Sequence, residues 1–147
     1  MWKYNNEEMT CLEDFPQGTY GFVYRVIHKP SEIAYIGKKV LFHNIKKKLT
    51  KKELNLIEGQ GRRPVYRLTQ KESDWKTYYG SAKPILELIS NGRSDEFERT
   101  IIKLAPDKKL LTYYETKYLF VYEVLEKPDD FYNDNILGKF YSKDFFQ

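Results

Sequence analysis

The chain has 147 residues, 31% charged and 16% aromatic, with a net charge of +4 and one cysteine. That length suits one domain with a core of its own. A lone Cys11 excludes an internal disulfide and a multi-cysteine zinc site and fits a reducing, cytoplasmic setting, and no apolar run approaches the roughly 20 residues of a membrane span.

Residues 1–19 are expected to form an N-terminal extension with one short helix; Met1 to Glu8 lack the apolar stretch of a signal peptide. Residues 20–27 alternate, with Tyr20, Phe22, Tyr24 and Val26 on one face, which is strand periodicity. Residues 33–38 form a second β-rich run, and His28-Lys29-Pro30-Ser31 between them reads as a turn. A tight turn on Lys29-Pro30 would put Tyr24 directly opposite Tyr35. Such a pair has two readings: a cross-strand aromatic contact that stabilises the sheet, or two phenols held side by side for chemistry.

From His43 to Arg67 the sequence turns basic, with Lys46-Lys47-Lys48, Lys51-Lys52 and the loop Gly59-Gln60-Gly61-Arg62-Arg63-Pro64. Residues 38–76 carry a net +8, whereas 1–37 and 77–147 carry −2 each. A local field of that kind suits a polyanion, although a solvated lysine-rich loop has the same composition. Thr50-Lys51-Lys52-Glu53 has the form of a capping box and predicts a short helix ending near Gly59. Thr69-Gln70-Lys71-Glu72 repeats that form and predicts a helix over about 70–78, closed by Gly80.

Pro84 suits the first turn of the next helix, which Asn91-Gly92 stops. Residues 98–104 read as a third strand. Pro106-Asp107 opens the longest helix, about 107–126, with Leu110, Leu111, Tyr114, Tyr118, Val121, Tyr122 and Leu125 at helical spacing. Glu115 lies at the border of its apolar face, where a carboxylate is exposed at the rim, paired with a lysine, or held to bind a cation. Pro128 is expected to end it. Residues 138–147 form a basic, aromatic tail.

Phe22-Val23-Tyr24, and then Tyr35-Ile36-Gly37 about ten residues on, resemble the paired motif of the GIY-YIG nuclease superfamily. Phe and Val replace Gly and Ile in the first element. Tyr78-Tyr79-Gly80-Ser81-Ala82-Lys83 is similar to a segment of the phage-encoded Seg-type homing endonucleases. The resemblance covers residues 20–137. It implies an α/β fold, a small sandwich with a three-stranded antiparallel sheet flanked by helices, carrying the basic insert 43–67.

The resemblance further implies a metal-dependent endonuclease that hydrolyses DNA phosphodiester bonds. Tyr24 would activate water. Tyr35 would hold the phosphate, Glu115 would bind one Mg²⁺ or Mn²⁺, and Asn133 matches the asparagine that follows the last long helix, with Asn135 as a substitute. The family arginine of the first helix has no counterpart among Asn44, Ile45 and Lys46; Lys38, Lys39, Arg62, Arg63, Arg67, Lys71 or Lys76 could supply that charge. His43 is a further candidate for proton transfer, and a lone histidine is more often structural. Lys46, Lys47, Lys48, Arg62, Arg63, Arg67, Lys71 and Lys76 are the expected contacts to a DNA backbone, double-stranded in the first instance. The expected protein is a monomer or transient homodimer in the cytoplasm, of the host if phage-encoded, with no membrane partner. The alternative is a catalytically impaired nucleic-acid-binding module on the same fold.

Overall fold

The computed structural model describes residues 1–56 and 66–146, with Tyr66 as backbone only. In chain order the elements are β1 (Trp2–Tyr4), β2 (Glu7–Met9), β3 (Gly21–His28), β4 (Ile33–Val40), β5 (Phe42–Lys48), α1 (Lys51–Leu56), β6 (Tyr66–Glu72), α2 (Lys83–Ser90), β7 (Phe97–Ala105), α3 (Lys108–Val121), β8 (Asn135–Ile136) and β9 (Phe140–Tyr141). They form two compact units, one of Met1–Leu41 with Asp74–Gln147, the other of Phe42–Ser73.

The first unit is an α/β layer built on a five-stranded sheet of order β2-β1-β7-β3-β4. The three expected antiparallel strands are its β7-β3-β4 core. Residues 1–9 extend it as a hairpin, with β1 parallel to β7. The short helix expected in this segment is instead a single 3-10 turn over Leu12–Asp14. Asn5 and Asn6 take left-handed φ values of 50° and 68°, the two-residue turn that joins strands without splaying them.

The β3–β4 hairpin corrects the expected register. Its loop is four residues long, Lys29 to Glu32, and closes on His28 opposite Ile33. Glu32, at φ 60°, donates its N–H to the His28 carbonyl at 2.7 Å. The register shifts by two residues, so Tyr24 stands opposite Gly37 and Tyr35 opposite Val26. An even shift keeps both tyrosines on one face, now diagonal to one another with ring centroids 6.3 Å apart.

The two faces of the sheet bury different chemistry. On the Tyr24 face, Trp2, Phe15, Phe22 and Trp75 meet edge-on or stacked within 6.5 Å. On the other face Val23, Ile36, Leu111, Leu119, Val124 and Leu125 form an aliphatic core against α3. The Asp107 side chain caps α3 by accepting the Leu110 N–H at 2.8 Å. The helix ends at Val121, five residues before the expected 126. Glu123, at φ 54°, reverses the chain; its N–H reaches Phe120 and that of Val124 reaches Leu119. This Schellman arrangement folds Val124 and Leu125 back into the core. Burying those two side chains outweighs one more helical turn.

The second unit pairs β5 with β6 antiparallel. Gln70, Lys71 and Glu72, expected in a helix over 70–78, belong to β6, and only a 3-10 turn at Trp75–Thr77 follows in the first unit. Their ladder with Phe42, His43 and Asn44 outweighs the local capping signal. In α1 the Thr50 hydroxyl accepts the Glu53 N–H at 3.2 Å and donates to its carboxylate. The expected helix end near Gly59, and Arg62 and Arg63, lie outside the described residues.

Candidate active site

Edge strand β4 organises the candidate site. Alternate residues turn their backbone groups away from β3, and later chain satisfies them. Ala34 donates to Asp130 at 2.9 Å and accepts from Tyr132 at 2.8 Å. Ile36 donates to Asn133 Oδ1 at 3.0 Å and accepts from Asn133 Nδ2 at 2.8 Å. The Lys38 amide faces the Glu115 carboxylate. Asn133, 8% exposed, thus does the work of a neighbouring strand with one side chain. It acts here as a positioning group.

Tyr35, Ile36, Glu115, Asn133 and Asp134 line one cleft along this edge. The Tyr35 hydroxyl bonds Ser81 Oγ at 3.0 Å. Burial, the largest influence, pushes the Tyr35 phenol above its ordinary value, against the Ser81 hydrogen bond. Burial likewise raises the Glu115 carboxyl, while the Lys38 ammonium and amide pull it back. Lys38 Nζ donates to Thr112 Oγ1 at 3.1 Å, on the same helix as Glu115.

Tyr24 lies behind Tyr35 and is 1% exposed. Burial holds its hydroxyl well above the usual phenol range, and Tyr78, Tyr35 and Glu115 add to the effect. Two glycines bracket that hydroxyl. A Cβ on Gly37 would stand 2.4 Å from it, and one on Gly80, at φ 102°, would stand 3.3 Å away. Strand partner and turn must therefore both be bare for the Tyr24 ring to lie where it does.

Lys39, on the same face, points its ammonium over the Tyr78 ring, 4.0 Å from the centroid, and pairs with Asp74. Its side chain is 12% exposed. Of the cations considered for the family arginine, Lys38 adjoins Glu115 and Lys39 adjoins Tyr78, which packs edge-on against Tyr24.

The cluster is built wholly from the first unit. His43 belongs to the second, exposed on β5 opposite Lys71. There Lys46, Lys47, Lys48 and Lys71 are exposed along a two-stranded ribbon, Lys47 directly opposite Arg67, and Arg67 lies 3.9 Å from Glu53. Like charges facing across a ladder destabilise it unless an anion neutralises them. Lys76 lies in the first unit beside Trp75. Sequence reasoning passed over Ser81, Tyr78 and Asp134 as site residues. The Tyr78-to-Ser81 motif was the signal for the first two; nothing local marked Asp134.

The donors facing the cleft, Glu115, Asp134 and the Tyr35 hydroxyl, are all oxygens, and the described residues hold no cluster of three or more His, Cys, Asp or Glu. Such a set fits a hard divalent cation that keeps most of its water, and no soft metal.

A family model described as "Putative endonuclease segE, GIY-YIG domain" matches residues 2–136. No curated protein and no solved structure matches significantly. The match spans both tyrosines, the glycines that seat Tyr24, Glu115 and the Asn133 latch. The chain belongs to the GIY-YIG endonuclease family, in its Seg-type branch.

Proposed function

We propose that the protein is a divalent-metal-dependent endonuclease that hydrolyses phosphodiester bonds of double-stranded DNA at the β4 edge. The supporting observation is the shared cleft of Tyr35 and Glu115, with the Tyr24 ring 6.3 Å from that of Tyr35. The Tyr35 hydroxyl, steadied by Ser81, donates to a non-bridging oxygen of the scissile phosphate. Glu115, with Asp134 beside it, would hold Mg²⁺ or Mn²⁺. That cation would supply charge stabilisation at the phosphate and leaving oxygen.

Burial keeps Tyr24 a neutral phenol in the free protein. To take the proton of the attacking water it must first release its own phenolic proton to solvent, which requires a complex that brings positive charge to it; Lys39 lies on the same sheet face. Lys38 and Lys39 together stand in for the family arginine. The β5–β6 ribbon, with Lys46, Lys47, Lys48, Arg67 and Lys71, grips the duplex backbone. The protein acts as a monomer or transient homodimer and is phage-encoded.

Nicking of supercoiled plasmid tests this reading. Wild type should nick only with Mg²⁺ or Mn²⁺, and Glu115→Ala and Tyr24→Phe, each checked for folding, should lose about 100-fold or more. Salt-sensitive binding without cleavage would instead identify a nucleic-acid-binding module on the same fold, one in which the missing arginine has ended catalysis.

A further inference from the structure

Arg99 is the most deeply buried cation on the Tyr24 face. It is 5% exposed, on β7, opposite Val26 on one side and Trp2 on the other. Its guanidinium lies between the rings of Tyr79, 4.2 Å from the centroid, and Trp2, 4.8 Å away. Nη1 donates to the carbonyls of Lys76 and Tyr78, both at 2.9 Å. Nε is buried with no acceptor among the described residues. No carboxylate pairs with this guanidinium either, within the described residues, although a buried charge ordinarily needs one.

Arg99 lines a cavity of about 290 Å³, together with Met1, Trp2, Met9, Thr10 and Lys76. Two of its walls are cationic, and Trp2 and Met9 make an apolar side. Thr10 shapes the rim; its hydroxyl and N–H are both given to Asp14. The cavity therefore carries two cationic side chains with a flat ring beside them, while the carboxylates of Glu13, near Lys76, and Asp14, bonded to Thr10, stand close by. Arginine in that setting recognises phosphate oxygens, and the adjoining aromatic wall suits the sugar or base attached to them.

We infer that this cavity is a phosphate-binding subsite, separate from the β4 cleft, in which Arg99 and Lys76 hold one phosphate group. Its chemistry is the same whether that group is a backbone phosphate of a bound strand or belongs to a small phosphorylated molecule.

The test follows the Arg99 Nε–Hε resonance in ¹⁵N-labelled full-length protein, at constant ionic strength set with chloride. One titration uses inorganic phosphate; a second uses a short DNA duplex with EDTA present, so that nothing is cut. The Arg99 peak should move saturably with phosphate, half-saturating at about 1–10 mM for one doubly held anion. Lys76→Gln, an exposed change that leaves Arg99 in place, should raise that midpoint about three- to tenfold. Movement of the same peak with duplex assigns the subsite to a strand phosphate; movement with phosphate alone assigns it to a small phosphorylated ligand. A peak unmoved by either, or a midpoint untouched by Lys76→Gln, overturns the assignment. Neither titration depends on cleavage, so the subsite stands or falls apart from the nuclease reading.

Discussion

Replacing Gly37 with alanine should damage stability and cleavage through one displaced ring. The new Cβ would lie 2.4 Å from Tyr24 Oη, 2.6 Å from Cζ and 3.0 Å from Tyr35 Cε1, where ordinary contact begins at 3.4 Å. The Tyr24 ring must therefore retreat by about 1 Å, the difference between 3.4 and 2.4 Å. It has little room: it is 1% exposed, with Trp2 edge-on at 5.3 Å and Tyr78 at 5.9 Å. Overpacking of this kind costs about 1–3 kcal/mol, or roughly 3–10 °C in Tm for a chain of this size. A 1 Å misplacement of a reacting group costs about 100-fold in rate. Thermal unfolding by circular dichroism and plasmid nicking measure the two effects. Tyr24→Leu removes the ring, so in that background Gly37→Ala should cost at least about 1 kcal/mol less. Equal costs in both backgrounds would refute the steric argument.

Asn133→Ala should destabilise by about 2–3 kcal/mol, since it strips partners from a buried N–H and a buried carbonyl of Ile36; faster hydrogen exchange at the Ile36 amide would locate the damage. Glu115 carries a folded pKa above its unfolded value, so its contribution to stability is present at low pH and lost as pH rises through that folded value. Glu115→Gln should accordingly melt higher than wild type at pH 7, with the gap closing below about pH 4, the ordinary glutamate range. A gap that does not change with pH would sink that account. Glu123→Gly should stabilise by about 0.5–1 kcal/mol in urea unfolding, because glycine takes φ 54° without strain.

The strands were legible where alternation meets a buried face, as in residues 20–27, and α3 from its apolar spacing. Its end was not, because the stop comes from Val124 and Leu125 seeking the core through a glutamate, ahead of Pro128, with no glycine at the turn to announce it. The helix expected over 70–78 shows the converse, a sound local capping pattern overridden by a ladder to residues far back in the chain. Asn5-Asn6 carried a hairpin signal that the short flanking runs obscured. In the candidate site, Tyr35-Ile36-Gly37 could be picked out by the motif it resembles, since the phenol and the bare position beside it are close in sequence. The work of Asn133 could not, because its partner is Ile36, 97 residues away.

That distance also orders events during synthesis. The hairpin carrying Tyr24 and Tyr35 leaves the ribosome early, while the groups that close its outer edge, at Glu115 and Asp130 to Asn133, follow about 80 to 100 residues later. Closing so long a loop is slow. A chain interrupted before residue 130 has no cleft and carries instead an exposed strand edge, which is a template for aggregation. The candidate cleft is thus assembled only after residues 130–133 have been made.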